Sequence, residues 1–443
     1  MKPPTPEQRS HSAEEGTFPV TPHASSPLFP DRCDRRAFLR IGAGSVAGAA
    51  FLPGSLPAWV RSAADSPTET RTLILLELNG GNDGLNTVIP IENDLYHRVR
   101  PTLRVPRSDG FALEDGFALH PSLSELHELF TDGKLSILHG VGYPQPDRSH
   151  FRSLDIWHSA RPNLGRPDSG WIGRLADTHA KDGDIPALRI GRRDLPLLLR
   201  GHERGAPCIT SIEDWRLDLG SNPSALRPAL ENALAAPRST DSASDLEFVR
   251  RVAQRAVRES DRFAKDTPVA TPDRSHGAGY PDTALGRNLS LARTLIDSAS
   301  RPRVIFVSHD GFDTHSRQRD PHANLLRELS TALGAFMNDL VSRDLDRDVL
   351  VCVYSEFGRR VAENASGGTD HGAAQPVLLV SGALQGGCAG TAPALTDLDQ
   401  GDLRYTCDFR RLYATFLDRW WALPAAGVLD GEFAPIDGLL SAK

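Results

Sequence analysis

The chain is 443 residues long, with 24% charged residues, five cysteines and a formal charge of −7. That composition excludes a disordered polymer, a collagen-like chain and a repeat array, and five cysteines are too few for a disulfide scaffold. Lys and Arg total 50 against 57 Asp and Glu, so no basic surplus points to nucleic acid.

Residues 1–30 are rich in Pro, Ser and Thr, lack an apolar period and are expected to be disordered. Asp34-Arg35-Arg36-Ala37-Phe38-Leu39 then precedes an apolar run over 41–52, and Ser62-Ala63-Ala64 supplies small exit residues. This order reads as a twin-arginine signal peptide over 1–64, with the mature chain at 65–443. The expected partner is the twin-arginine (Tat) export machinery, and the destination is the periplasm or extracellular space. That route carries folded proteins, which suits a cofactor inserted before export. The apolar run of about 12 residues falls short of the roughly 20 that span a bilayer, and no later apolar stretch reaches about 18, so the mature chain is expected to lack a transmembrane helix.

A nearly continuous apolar run predicts a buried strand over 72–78, followed by the loop Asn79-Gly80-Gly81-Asn82-Asp83-Gly84. Leu123, Leu126, Leu129 and Phe130 predict a helix over 122–131. A strand over 135–139 and a helix over 170–181 follow. Residues 200–300 read as a mainly helical insertion. Ser244-Asp245-Leu246-Glu247 is a capping box for a helix to about Phe263, and Leu285, Leu289, Ala292, Leu295 and Ile296 mark another. Strands are then predicted over 304–308, 349–354 and 377–381, with helices over 321–340 and 408–421. Alternating strands and helices imply an α/β fold, a mostly parallel sheet with helices on both faces. In such sheets ligands bind beyond the carboxyl ends of the strands.

The polar residues gather at those ends. Asp83 follows the first strand, and Asp147-Arg148-Ser149-His150 follows the second. The strand over 304–308 delivers Asp313 and His315, and that over 349–354 delivers Glu356 and Arg359, followed by Asp370 and His371. Carboxylates so concentrated oppose one another's ionisation, and one or two divalent cations would relieve this. Taken singly the residues are ordinary. Asp83 suits a turn, Glu356 can pair with Arg359 or Arg360, and Asp273-Arg274-Ser275-His276 repeats the Asp-Arg-Ser-His tetrapeptide in a loop.

The ordered motifs NGGNDGLN, LHPSL, RSHF, GWIGRL, GFDTH, SEFGRR and GTDHG, across roughly 71–422, resemble the DUF1501 family. Those secreted bacterial proteins look like a branch of the alkaline phosphatase/sulfatase superfamily. The resemblance implies an alkaline phosphatase-like fold and a metal site at the carboxyl edge of the sheet. It implies Asp83, Asp313, His315, Glu356, Asp370 and His371 as ligands for zinc or manganese, with Ser149 as nucleophile. Phe357 stands where the superfamily has a histidine, which weakens a two-metal site, and no Cys/Ser-x-Pro-x-Arg motif supports formylglycine. Arg148 or Arg359 would clamp an oxyanion, and His150 would act as acid or base. The expected activity is hydrolysis of phosphate or sulfate esters, or a related phosphoryl or sulfuryl transfer, on a small-molecule or glycan substrate. The alternative is a non-catalytic secreted protein that binds an anionic glycan or cell-envelope component. Cys388 and Cys407 flank a loop, and a disulfide between them is left open.

Overall fold

A computed structural model describes residues 71–180, 186–211, 223–235, 279–298 and 301–441, with isolated helical positions between 250 and 261. The expected export signal, the expected capping box at 244–247 and most of the helix and loop expected after it lie outside the described residues.

Nine strands form the central sheet: β1 (Thr72–Asn79), β2 (Leu135–Gly142), β3 (Ala187–Ile190), β4 (Cys208–Ile209), β5 (Val304–Asp310), β6 (Val349–Tyr354), β7 (Gln375–Val380), β8 (Gly387–Ala389) and β9 (Cys407–Asp408). Their spatial order is β8-β2-β7-β6-β1-β5-β3-β4, with β9 also beside β2. β1 lies parallel between β5 and β6, with Ile74 opposite both Ile305 and Val351.

The unbroken apolar run of β1 is explained by cover on both faces. Ile74, Leu76 and Leu78 belong to one core, with residues of helices α1 (Ser124–Thr131), α4 (Ala284–Ile296) and α5 (Arg319–Val341). Leu73 and Leu75 belong to the opposite core, with α2 (His150–Ser159), α3 (Trp171–His179) and α6 (Phe409–Thr415). The expected α/β class, with helices on both faces of a mainly parallel sheet, therefore holds. Among the described residues no helix is long and apolar enough to cross a membrane.

Two local features add to the expected pattern. Within the mainly helical stretch expected over 200–300, β4 forms an edge of the sheet. β7 is antiparallel to both β2 and β6. Residues 355–374 contain no helix, so the chain turns back after β6 instead of crossing over to a parallel position. This reversal brings the residues that enter β7 to the edge where the other strands leave.

The Cys388–Cys407 disulfide does not form, and both thiols are free. Cys388 is opposite Ile137 and Cys407 opposite Val141, four residues along the same side of β2. That is about 13 Å at ~3.3 Å per residue, twice the reach of a disulfide.

Candidate metal centre

The site begins with two glycines. Gly80 and Gly81 leave β1 with φ of 121° and 75°, where other residues are strained. A side chain on Gly80 would collide with the backbone of Asp313, so its absence lets the loops after β1 and β5 touch. The Arg359 guanidinium then binds these loops together. It donates to the carbonyls of Gly81 (2.6 Å), Thr369 (2.7 Å), Phe312 (3.1 Å) and Gly80, and to Asp313 Oδ1 (2.7 Å).

Three imidazoles converge on Asp313 Oδ1. The Nε2 atoms of His315, His371 and His150 lie 3.0, 3.3 and 3.6 Å from it. The Nε2 atoms of His315 and His371 are 2.9 Å apart. Four donors held about 2.05 Å from one tetrahedral ion would be separated by about 3.3 Å, and these distances bracket that value. His150, Asp313 and His371 offer donor atoms that all lie within 4.8 Å of one another.

The far nitrogens fix the tautomers. His371 Nδ1 lies 2.8 Å from the Arg148 carbonyl, which can only accept, so this nitrogen carries the proton. His150 Nδ1 lies 2.7 Å from Glu356 Oε1, and His315 Nδ1 faces Asp370 Oδ1 at 3.6 Å. With Nδ1 turned to these acceptors, His371 and His150 present Nε2 to the centre, and His150 Nε2 is buried with no hydrogen-bond partner. Lone pairs crowded around a carboxylate oxygen repel unless a proton or a cation lies among them. A carboxylate or carbonyl behind each imidazole is the usual support of a metal-bound histidine.

The charges are tuned accordingly. Burial raises the pKa of Glu356, but hydrogen bonds from His150, the Ser355 hydroxyl and backbone amides outweigh it and hold the carboxyl below its usual range. Asp313 is likewise depressed, its partial burial outweighed by the hydrogen bond and charge of Arg359. Burial lowers the pKa of His371, and the hydrogen bond to Glu356 raises that of His150.

The structure brings together five of the six expected ligand residues and sorts them into two roles. Asp313, His315 and His371 face the centre. Glu356, fully buried, and Asp370 sit behind His150 and His315 and orient them. His150, expected as an acid or base, turns its Nε2 to the centre and is a candidate ligand. Its place in the first turn of α2, straight after the N-cap Ser149, is the sequence signal for that position.

Asp83 is not part of the cluster. Its carboxylate is fully buried, 2.6 Å from Arg100 Nη1, and accepts from Gln318. Burial raises its pKa, but Arg100 outweighs this and holds it down. No pattern in the sequence marks Arg100 or Gln318 as its partners.

Arg359 is not a free oxyanion clamp, because it is buried and its donors are committed to the loops. Arg148 is paired with Asp402 at 2.6 Å, though it remains about one-third exposed. Ser149 is exposed at the start of α2, and its hydroxyl takes no capping bond. Phe357 packs its ring against His150 and His371, with centroids 4.9 and 4.6 Å away. Beside the centre, a cavity of about 780 Å³ is lined by Arg148, Phe357, Trp157, Asp402 and Tyr405.

The DUF1501 family profile, described as a protein of unknown function, matches residues 70–430. The chain belongs to this family. No functionally curated protein matches the DUF1501 chain. Among solved structures it is similar to the C-terminal periplasmic domain of EcEptC from Escherichia coli in complex with Zn. Identity there is 10%, over 70% of this chain and 72% of that one, with a TM-score of 0.33. It is also similar to the PsFucS1 sulfatase from Pseudoalteromonas sp., at 10% identity over 86% and 75% of the two chains and a TM-score of 0.35. The lipoteichoic acid synthase LtaP from Listeria monocytogenes matches at 10% identity over 70% and 65%, with a TM-score of 0.29.

Proposed function

We propose that this DUF1501 protein is an exported, metal-dependent hydrolase or transferase acting on phosphate or sulfate esters. The observation that carries the reading is the convergence of three imidazole Nε2 atoms on Asp313 Oδ1. His150, Asp313, His315 and His371 would hold a divalent cation. A set of three nitrogens and one oxygen suits zinc better than manganese. When bound, such a cation supplies Lewis acidity toward an ester oxygen and lowers the pKa of a nearby hydroxyl.

The chain's own residues supply the rest. Ser149 is the nucleophile, presented on the solvent side at the start of α2. The first amides of that helix have no partner within it and point toward the same end, where they can receive an oxyanion. Glu356 fixes the His150 ring, and the Arg148 carbonyl fixes that of His371. The cavity beside Phe357 would take the remainder of the ester.

A second reading keeps the metal and drops the chemistry, leaving a binding protein for an anionic envelope component. It is favoured by Ser149, whose hydroxyl makes no hydrogen bond to any residue of the cluster. The test is elemental analysis of the purified chain, with turnover of nitrophenyl phosphate and nitrophenyl sulfate before and after chelation. Bound metal with chelator-sensitive nitrophenol release is expected. Metal without turnover would leave the binding reading, and no affinity for any divalent cation would overturn both.

A further inference from the structure

We infer that a second cleft, away from the metal centre, binds a multiply charged phosphate or sulfate anion. The cleft of about 930 Å³ lies between the loop 101–109, His120 to Ser122 and the start of α5. Arg104, Arg319 and Arg327 line it, and all three are exposed. Their hydrogen-bond partners are neutral: the His97 carbonyl for Arg104, the Thr102 carbonyl for Arg319 and the Asn324 side chain for Arg327. Among the described residues none of the three has a carboxylate in salt-bridge range. Arg107, by contrast, is paired with Asp94 at 2.7 Å. The one carboxylate in the lining is exposed Asp109.

His120 also lines the cleft. Its Nδ1 accepts from Ser122 N at 3.1 Å, so its ring proton sits on Nε2. Burial lowers its pKa to about 4, which makes it a neutral donor at pH 7.

The volume exceeds what a single sulfate needs and matches a ligand of several groups. No Phe, Tyr or Trp lines the cleft, so nothing there would stack on nucleic acid bases. The ligand chemistry is therefore that of a polyphosphate or a sulfated oligosaccharide, read by its oxyanions.

Calorimetric titration of the full chain with inorganic tripolyphosphate and with a sulfated dextran oligosaccharide tests this and separates the two sources. Binding of either probe, weakened as salt rises from about 50 to 200 mM, is expected. The triple variant Arg104→Gln, Arg319→Gln, Arg327→Gln should weaken it at least about tenfold, with metal content and melting temperature unchanged. Arg98→Gln, an exposed arginine outside the lining, should leave it intact. Absence of binding by both probes would overturn the inference. So would binding that survives the triple variant, or that is lost in Asp313→Ala, which would place the anion at the metal centre.

Discussion

Glu356 separates an orienting role from a ligating one. Its Oε1 accepts from His150 Nδ1 at 2.7 Å and from Gly80 N at 2.9 Å, and Oε2 accepts from the Ser355 hydroxyl at 2.9 Å. A carboxylate so placed raises the basicity of the imidazole and fixes its rotation, and losing such a partner typically costs 10- to 100-fold in metal affinity. Glu356→Gln keeps an acceptor of the same shape and removes the charge, so zinc affinity should fall about tenfold, roughly 1.4 kcal/mol. Glu356→Ala frees the ring as well and should cost about 100-fold, roughly 2.7 kcal/mol. Both variants should still bind metal in the wild-type ratio when it is in excess. Asp313→Ala, by contrast, removes a ligand and should lower the ratio itself. Competition against a zinc chelator gives the affinities, and plasma emission spectrometry gives the ratio. Unchanged affinity in Glu356→Ala, or a ratio that falls to zero in Glu356→Gln, would refute the assignment.

Three further outcomes follow from the same geometry. Arg100→Met leaves the buried Asp83 carboxylate without its counter-charge and should cost about 3–5 kcal/mol in denaturant unfolding, while Asp83→Asn with Arg100→Met recovers most of it. Asp83 has its folded pKa below 3.8, so its stabilisation is complete above pH 3.8 and is lost as pH falls through the lower folded value. The stability gap between wild type and Asp83→Asn should therefore narrow below about pH 3.8, as measured by unfolding across that range. Ser149→Ala should abolish ester turnover without changing metal content, whereas His150→Ala should lower metal affinity, as activity and metal assays on the same preparations would show.

Much of this architecture is legible before folding because its cause is local. The apolar run of β1 states that both faces are covered, and the spacing of Leu285, Leu289, Ala292 and Leu295 states which face of α4 is buried. The candidate ligands are legible as residue types at strand ends, but their roles are not. Glu356 and His150 are more than 200 positions apart, and which of them faces the centre depends on the turn that starts α2. Asp83 stands at the end of β1, where a ligand is expected. It is withdrawn by Arg100, whose approach is fixed by its bonds to the Val361 and Arg360 carbonyls, and no local pattern encodes that. The reversed direction of β7 is hidden for a similar reason. Its apolar face reads the same in either direction, and only the helix-free stretch before it hints at a return.

Charge balance bears on how many ions the centre is built for. Asp313, Glu356 and Asp370 bring three negative charges, and Arg359 returns one positive charge through its bond to Asp313. Arg148 and Arg360 share the one carboxylate of Asp402, at 2.6 and 3.5 Å, and together add one further positive charge. With neutral imidazoles these groups sum to one negative charge, a single divalent cation already exceeds it by one, and a second would leave three positive charges beside the buried guanidinium. Asp370 is half exposed, so its charge counts for less and the case against a second ion is stronger still. Packing agrees, since the Phe357 ring lies against His150 and His371 in the place a further imidazole ligand would need. Titration with zinc should therefore saturate at one ion per chain, and a ratio near two would refute this charge balance.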